Sequence, residues 1–107
     1  MIKVLIIKSG NEYRGLQASG HAGFAEYGND IVCAAVSMLI INTANSIEQF
    51  TDDFILADTR EDGTTELLIR ENCSDKTILL MDSLLLGLNE IRKQYGKKYL
   101  RIDYKEV

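Results

Sequence analysis

The stretch GHAGFAEYGNDIVCAAVS, residues 20–37, decides how this chain of 107 residues is organised. It contains the only histidine, His21, one of the two cysteines, Cys33, and three of the eight glycines. A thiol and an imidazole are the two groups that a cysteine nucleophile needs. Here they stand on either side of a glycine-rich segment that leads into the longest apolar run of the sequence.

The second half of this stretch predicts the start of a long helix. Asn29-Asp30 is a helix-start signal, because an aspartate N-cap accepts hydrogen bonds from the free amides of a first turn. Residues 31–50 are then predicted to form a helix that is apolar almost all round in its first half, which is typical of a largely buried helix. Residues 20–29 are predicted to be a loop that its glycines keep mobile.

The sequence on either side predicts two β-hairpins. The β-branched run at residues 2–8 and the segment at residues 13–19 are separated by a turn cluster, so they are predicted to pair. Residues 54–58 and 64–70 are predicted to form the second hairpin, since Asp62-Gly63 between them is a strong hairpin signal.

A second helix and a last strand complete the predicted elements. Ser74 or Asp75 is expected to cap a helix over residues 76–95, and Gly96 is a suitable C-cap. Residues 99–104 then alternate as a strand, with Leu100, Ile102 and Tyr104 predicted to face inward and Tyr99, Arg101 and Asp103 outward.

The resulting order is ββ-α-ββ-α-β. It predicts one α+β domain over residues 1–107, with a mainly antiparallel sheet packed against two helices. Both helices have more apolar surface than one core-facing stripe requires, which suggests a homodimer.

Composition limits the classes of partner. The net charge of -4 argues against direct nucleic-acid binding, which needs a basic surface, but an acidic surface would attract a basic protein. No signal peptide is recognised, and the apolar runs are interrupted before membrane length, so no membrane association is expected. Two cysteines do not form a disulfide framework. These features predict a reduced, cytoplasmic protein.

Cys33 is the first candidate catalytic residue. If Asp30 is the N-cap, Cys33 lies in the first helical turn, where partial positive charge favours the thiolate. The free amides of that turn could also donate hydrogen bonds to an oxyanion beside the sulfur. The alternative is a small cysteine that only packs in the core, as free cysteines commonly do.

Three further residues are candidates for the same site. His21 could take the thiol proton and return it to a leaving amine, or it could be a solvated loop residue. Asp30 could cap the helix and also contact the histidine. Ser37 follows Cys33 by four residues, so the two share one helix face; Ser37 could support the thiolate, line a substrate groove, or only pack.

The remaining chemistry of the chain predicts no cofactor and no metal. Cys73 lies between acidic neighbours, Glu71 and Asp75, that would raise the pKa of its thiol, so a structural role is expected. Two cysteines and one histidine do not make a convincing zinc site. There is no phosphate-loop pattern and no dinucleotide-binding fingerprint.

The segment GHA, residues 20–22, followed by GNDIVCAAVS, residues 28–37, closely resembles the signature of the ribosomal-processing cysteine protease family, called Prp. The resemblance extends to chain length and element order and so covers essentially the whole chain. It implies that His21 and Cys33 form the catalytic dyad. Gly20, Asp30 and Ser37 match further motif positions, where support of the site is implied.

The family resemblance also implies a substrate and a quaternary structure. Prp proteins remove a short N-terminal extension from large-subunit ribosomal protein twenty-seven, cleaving after an aromatic residue, and are dimeric. An apolar pocket near Cys33 is therefore expected. The loop that includes Ala22, Gly23 and Gly28 would have to open for the peptide and close over it.

Two other functions stay open at the level of the sequence. An acidic dimer with an inert, buried Cys33 could bind a basic ribosomal protein as a non-catalytic assembly factor. A cysteine–histidine pair could also hydrolyse another acyl group, such as a thioester, since this chemistry alone does not select the substrate.

Overall fold

The computed structural model describes residues 1–20 and 27–107. The elements in chain order are β1 (Ile2–Ser9), β2 (Glu12–Ser19), α1 (Tyr27–Phe50), β3 (Ile55–Thr59), β4 (Thr65–Ile69), α2 (Asp75–Tyr95) and β5 (Leu100–Glu106). They form a five-stranded sheet in the order β3-β4-β2-β1-β5. The strand pairs are antiparallel except β1 with β5, which is parallel. The predicted α+β fold with ββ-α-ββ-α-β order is confirmed.

One face of the sheet packs against both helices. Val4 lies opposite Ala18 of β2 and opposite Ile102 of β5, and Leu16 lies opposite Leu67 of β4. All five side chains are buried in one core cluster. The buried apolar side chains of α1 recur every three or four residues, as Val32, Val36, Ile40, Ala44 and Ile47. This spacing forms the stripe by which an α-helix packs on a core.

The two helices approach each other closely at Gly87. A Cβ atom at Gly87 would lie 2.8 Å from Cδ1 of Leu39 on α1. The absence of a side chain at this position therefore sets the distance between the helices.

Hydrogen bonds at both ends of α2 confirm its predicted boundaries. The Ser74 side chain accepts a hydrogen bond from the Thr77 amide, and the Gly96 amide donates to the Arg92 carbonyl. Asp53, in the connection from α1 to β3, accepts hydrogen bonds from the amide and hydroxyl of Ser74 and from the Thr77 hydroxyl. This carboxylate therefore joins the end of α1 to the start of α2.

Three local predictions were wrong. Helix α1 begins at Tyr27, so Gly28 and Asn29 are helical and do not belong to the preceding loop, and Asp30 is within the helix. Tyr104 is exposed although it was expected to face the core, because the core covers only the first part of β5, at Leu100 and Ile102. Tyr99, expected to face outward, packs partly buried against the core.

Within the described part of the chain, one segment, Ile31–Phe50, is long and apolar enough to cross a membrane by length and composition alone. The expectation that no apolar run reaches this length therefore fails for this segment. Core helices of folded domains meet the same criteria. Here the segment lies in α1, whose apolar stripe packs in the core, but only 33% of the segment is buried, so the expectation of a largely buried helix was wrong.

Candidate active site

Cys33 lies on α1, six residues after the helix begins at Tyr27. It is therefore in the second turn, and its predicted place in the first turn, with Asp30 as the N-cap, was wrong. The prediction failed because the helix starts earlier than the Asn29-Asp30 signal indicates. The thiol is free and partly buried, and it packs against the edge of the core.

Cys33 lines a groove with a volume of about 350 Å³. Ser37 lies one turn further along α1 and lines the same groove, so the prediction that the two share one helix face is confirmed. Apolar side chains form most of the lining around them, among them Ile2, Val36 and Ile40. A peptide carbonyl placed beside the thiol would therefore lie in a mostly apolar cleft with a hydroxyl nearby.

Gly20, directly after β2, also lines this groove. Its φ is +79°, and a Cβ atom there would lie 2.3 Å from the carbonyl oxygen of Met1. Only glycine fits this combination of left-handed backbone and close backbone contact. Gly20 directly precedes His21 in the chain.

The other predicted site residues divide into two groups. His21, Ala22 and Gly23 lie outside the described residues. Gly28 and Asp30 lie in the first turns of α1. The structure thus brings Gly20, Cys33 and Ser37 together in one groove. The catalytic and supporting roles of the site residues stay predictions.

Sequence reasoning missed the second wall of the groove. Thr59, Gly63 and Thr65 of the β3–β4 hairpin face α1 across the cleft. They lie there because Thr65 of β4 pairs with Ala18 of β2, close to Gly20. This pairing joins residues far apart in the sequence, so no local motif could have shown it.

Cys73 does not share the groove. Its amide donates to a carboxylate oxygen of Glu12 at 3.2 Å, in the turn before α2. Burial raises the pKa of the Cys73 thiol, and the carboxylates of Glu12 and Asp53 raise it further, although a hydrogen bond from the Tyr13 backbone opposes them. The predicted direction of this shift is confirmed, but its predicted cause was wrong: burial is the largest cause, and the carboxylates that contribute are Glu12 and Asp53, not the loop neighbours Glu71 and Asp75. Across residues 1–20 and 27–107, no three histidine, cysteine or carboxylate side chains cluster as a metal site would require.

Comparison with known proteins decides what kind of thiol site this is. The family model described as cysteine protease Prp matches residues 1–100. The chain belongs to the Prp family of cysteine proteases. The ribosomal processing cysteine protease Prp of Bacillus subtilis is 33% identical over 92 residues, which cover 80% of each protein. The Staphylococcus aureus Prp is 30% identical over 89 residues, which cover 80% of this chain and 81% of that protein.

Solved structures agree with this assignment. The crystal structure of S. aureus Prp in complex with a substrate peptide superimposes with a TM-score of 0.88 at 26% identity, covering 98% of this chain and all of that one. The S. aureus enzyme with a covalently linked product peptide gives a TM-score of 0.85 at 27% identity. The protein is therefore a cysteine protease of the Prp type. Of its two cysteines, Cys33 is the one in the groove.

Proposed function

We propose that this protein removes the N-terminal extension of large-subunit ribosomal protein twenty-seven in the cytoplasm, with Cys33 as nucleophile and His21 as general base and acid. The main support is the position of Cys33 in an open, mostly apolar groove of a Prp-family fold. The B. subtilis and S. aureus relatives are ribosomal processing cysteine proteases. The net charge of -4 is complementary to the basic surface of a ribosomal protein.

The proposed reaction begins with attack of the Cys33 sulfur on the scissile carbonyl carbon. His21 takes the thiol proton and returns it to the amine as the C–N bond breaks, leaving an acyl group on the sulfur as a thioester. Water, deprotonated by His21, then hydrolyses the thioester and restores the thiol. His21 is the only histidine of the chain, and it follows Gly20, which lines the groove together with Cys33.

The start of α1 supports the negative charge that develops in this reaction. The first amides of a helix have no partners within the helix, and helical side chains lean towards its N-terminus. Cys33 stands in the second turn, so its side chain is directed towards those amides. We therefore propose first-turn amides as oxyanion donors, with Asp30 and Ser37 as supporting residues. The chain segment containing Ala22 and Gly23 would act as a gate over the bound peptide.

We also propose that the protein is a homodimer. Large apolar side chains are exposed on the outer surface of both helices, including Met38 on α1 and Leu79 and Leu86 on α2. A second copy would remove this surface from water. Leu86→Glu is expected to give a monomer in analytical ultracentrifugation, whereas Leu56→Glu, on the other face of the sheet, leaves the dimer intact. A monomeric wild type at micromolar concentration would refute the dimer.

Cleavage of the extended ribosomal protein, followed by mass spectrometry, tests the proposed activity. Wild type and Cys73→Ala are expected to produce one new N-terminus, and Cys33→Ala and His21→Ala to produce none. Cleavage by Cys33→Ala would show that Cys33 is not the nucleophile. If folded wild type binds the extended protein without cleaving it, the protein is instead a non-catalytic assembly factor.

A further inference from the structure

The groove at Cys33 continues into a second cavity of about 200 Å³. The two cavities share four lining residues, Ile40 and Ile41 of α1 and Thr59 and Thr65 of the β3–β4 hairpin. The second cavity ends between Ala44 of α1 and Ala57 of β3. We call it the distal subsite.

The spacing of residues on α1 gives the length of the whole cleft. Cys33, Ser37, Ile41 and Ala44 follow one another at helical spacing along the wall of the cleft. Ala44 is eleven positions after Cys33, which is about 16 Å at the helical rise of 1.5 Å per residue. An extended peptide rises about 3.3 Å per residue, so about five peptide residues would reach from the thiol to the distal subsite.

The β3–β4 hairpin forms the opposite wall along this length. Thr59 pairs with Thr65, and two residues further on Ala57 pairs with Leu67, so both pairs face the helix side of the sheet. The buried side chain of Leu67 forms an apolar floor. Ala57 is exposed although it is on the helix-facing side, and it lines the distal subsite opposite α1.

The size of the lining side chains explains why the cavity exists. Alanine stands at both Ala44 and Ala57, so two small side chains leave room where larger ones would close the gap between α1 and the hairpin. Asp58 pairs with Glu66 between the two helix-facing pairs of the hairpin, so both carboxylates point to the opposite face of the sheet and the floor of the subsite is apolar. Such a site accepts an apolar side chain and does not accept a buried charge.

We propose that the distal subsite binds an apolar side chain of the substrate peptide about five residues from the scissile bond, and that Ala57 is the specificity-determining residue there. The occupant is the peptide itself, because the subsite is continuous with the groove at the nucleophile. This inference rests on peptide cleavage at Cys33 and does not depend on which ribosomal protein is the substrate.

The first test is a cleavage profile on a peptide library derived from a bacterial proteome, read by mass spectrometry. Wild type is expected to cleave peptides that carry an apolar residue four to six positions from the cut, on one side. Ala57→Phe is expected to lose this preference and to keep the preference next to the cut. A wild-type profile without any preference at that distance would overturn the proposal, as would failure to cleave any library peptide. Cleavage of the library without cleavage of the ribosomal protein would refute only the proposed substrate.

The second test uses the best library peptide and a version shortened to two residues on each side of the cut. Ala57→Phe fills the subsite and is expected to lower kcat/KM for the long peptide about tenfold, mainly through KM, with less than a twofold change for the short one. Leu56→Phe adds the same ring to the opposite face of β3 and should alter neither. Ala57→Leu is the smaller alternative if the ring impairs folding in a urea titration. Equal losses on both peptides would overturn the proposal.

Discussion

Replacement of Gly20 by alanine is expected to impair catalysis more than it impairs folding. Two features of Gly20 each act against a side chain. Its φ of +79° is strained for any residue with a Cβ atom, and that atom would lie 2.3 Å from the carbonyl oxygen of Met1. Gly10 provides a matched control, because its φ is +62° and a Cβ atom there would meet nothing within 4 Å.

The two variants separate the cost of the backbone conformation from the cost of the clash. The left-handed conformation costs about 1 kcal/mol in either variant. At Gly20 the two backbones must also separate by about 1 Å to reach ordinary contact, and neither contacting atom is part of a flexible side chain. Ile2, the residue after Met1, donates its amide to Tyr99 at 2.9 Å, so this hydrogen bond would be strained and would cost about 1 kcal/mol more. We expect losses of about 1 kcal/mol for Gly10→Ala and 2–3 kcal/mol for Gly20→Ala.

Activity should separate the variants further. A domain of this kind is stable by about 5–15 kcal/mol, so both variants stay almost entirely folded at 25 °C. A displacement of about 1 Å at a catalytic group can cost about a hundredfold in rate. For the library peptide cleaved best by wild type, kcat/KM should fall ten- to a hundredfold in Gly20→Ala and less than twofold in Gly10→Ala. Urea titrations of the same samples measure stability. Equal unfolding free energies, or wild-type activity in Gly20→Ala, would refute the reasoning.

Three further predictions concern the scaffold and the thiols. Asp53→Ala should lower the free energy of unfolding at pH 7 by about 2 kcal/mol, because the first turn of α2 loses its acceptor, whereas Asp52→Ala should change it by less than about 0.5 kcal/mol. Burial of Asp53 opposes its ionisation, but hydrogen bonds from Ser74 and Thr77 outweigh burial and hold the pKa of Asp53 below its ordinary value. Urea titrations should therefore show the full stability difference between wild type and Asp53→Ala above about pH 5, and a shrinking difference as the pH falls below about 4. A stability difference that does not change with pH would contradict this. Gly87→Val should lower the free energy of unfolding by about 2 kcal/mol in the same assay. Gly87→Ala should change it by less than about 1 kcal/mol, because the gain in helix propensity offsets the contact of the new Cβ atom with the movable tip of Leu39. Equal losses for the two variants would refute the close approach of the helices. Iodoacetamide at pH 7, followed by peptide mapping, should label Cys33 before Cys73, since the raised pKa of Cys73 keeps that thiol protonated, and the reverse order would contradict the assignment.

The parts of the fold that could be predicted are those with local chemical signals. Ser74 and Gly96 were identified as caps because capping depends on side chains and backbone conformations within a few residues. The start of α1 was predicted wrongly for the same reason. Asn29-Asp30 is a strong local signal, and Gly28 is costly inside a helix by about 1 kcal/mol relative to alanine, yet the helix begins at Tyr27. Local propensity is a weak guide to where a packed helix ends.

The candidate site shows the same division. Cys33 and Ser37 were placed on one face from their spacing alone, because four residues span about one helical turn. The hairpin wall could not be predicted in this way, because it depends on β2 lying between β1 and β4. Ala18 of β2 pairs with Val4 on one side and Thr65 on the other, so the end of β2 brings the hairpin to the groove.

This arrangement separates the residues proposed for chemistry from those proposed for specificity. His21, Cys33 and Ser37 belong to one continuous stretch of the chain, whereas Ala57, Thr59 and Thr65 belong to a hairpin joined to the groove through strand pairing. Ala57 lies on the edge strand β3, where an exposed side chain can change without repacking the core. Substitutions there can alter which peptides fit while the helix that holds the thiol stays in place. The hairpin is therefore where Prp proteins with different substrates should differ in size and polarity.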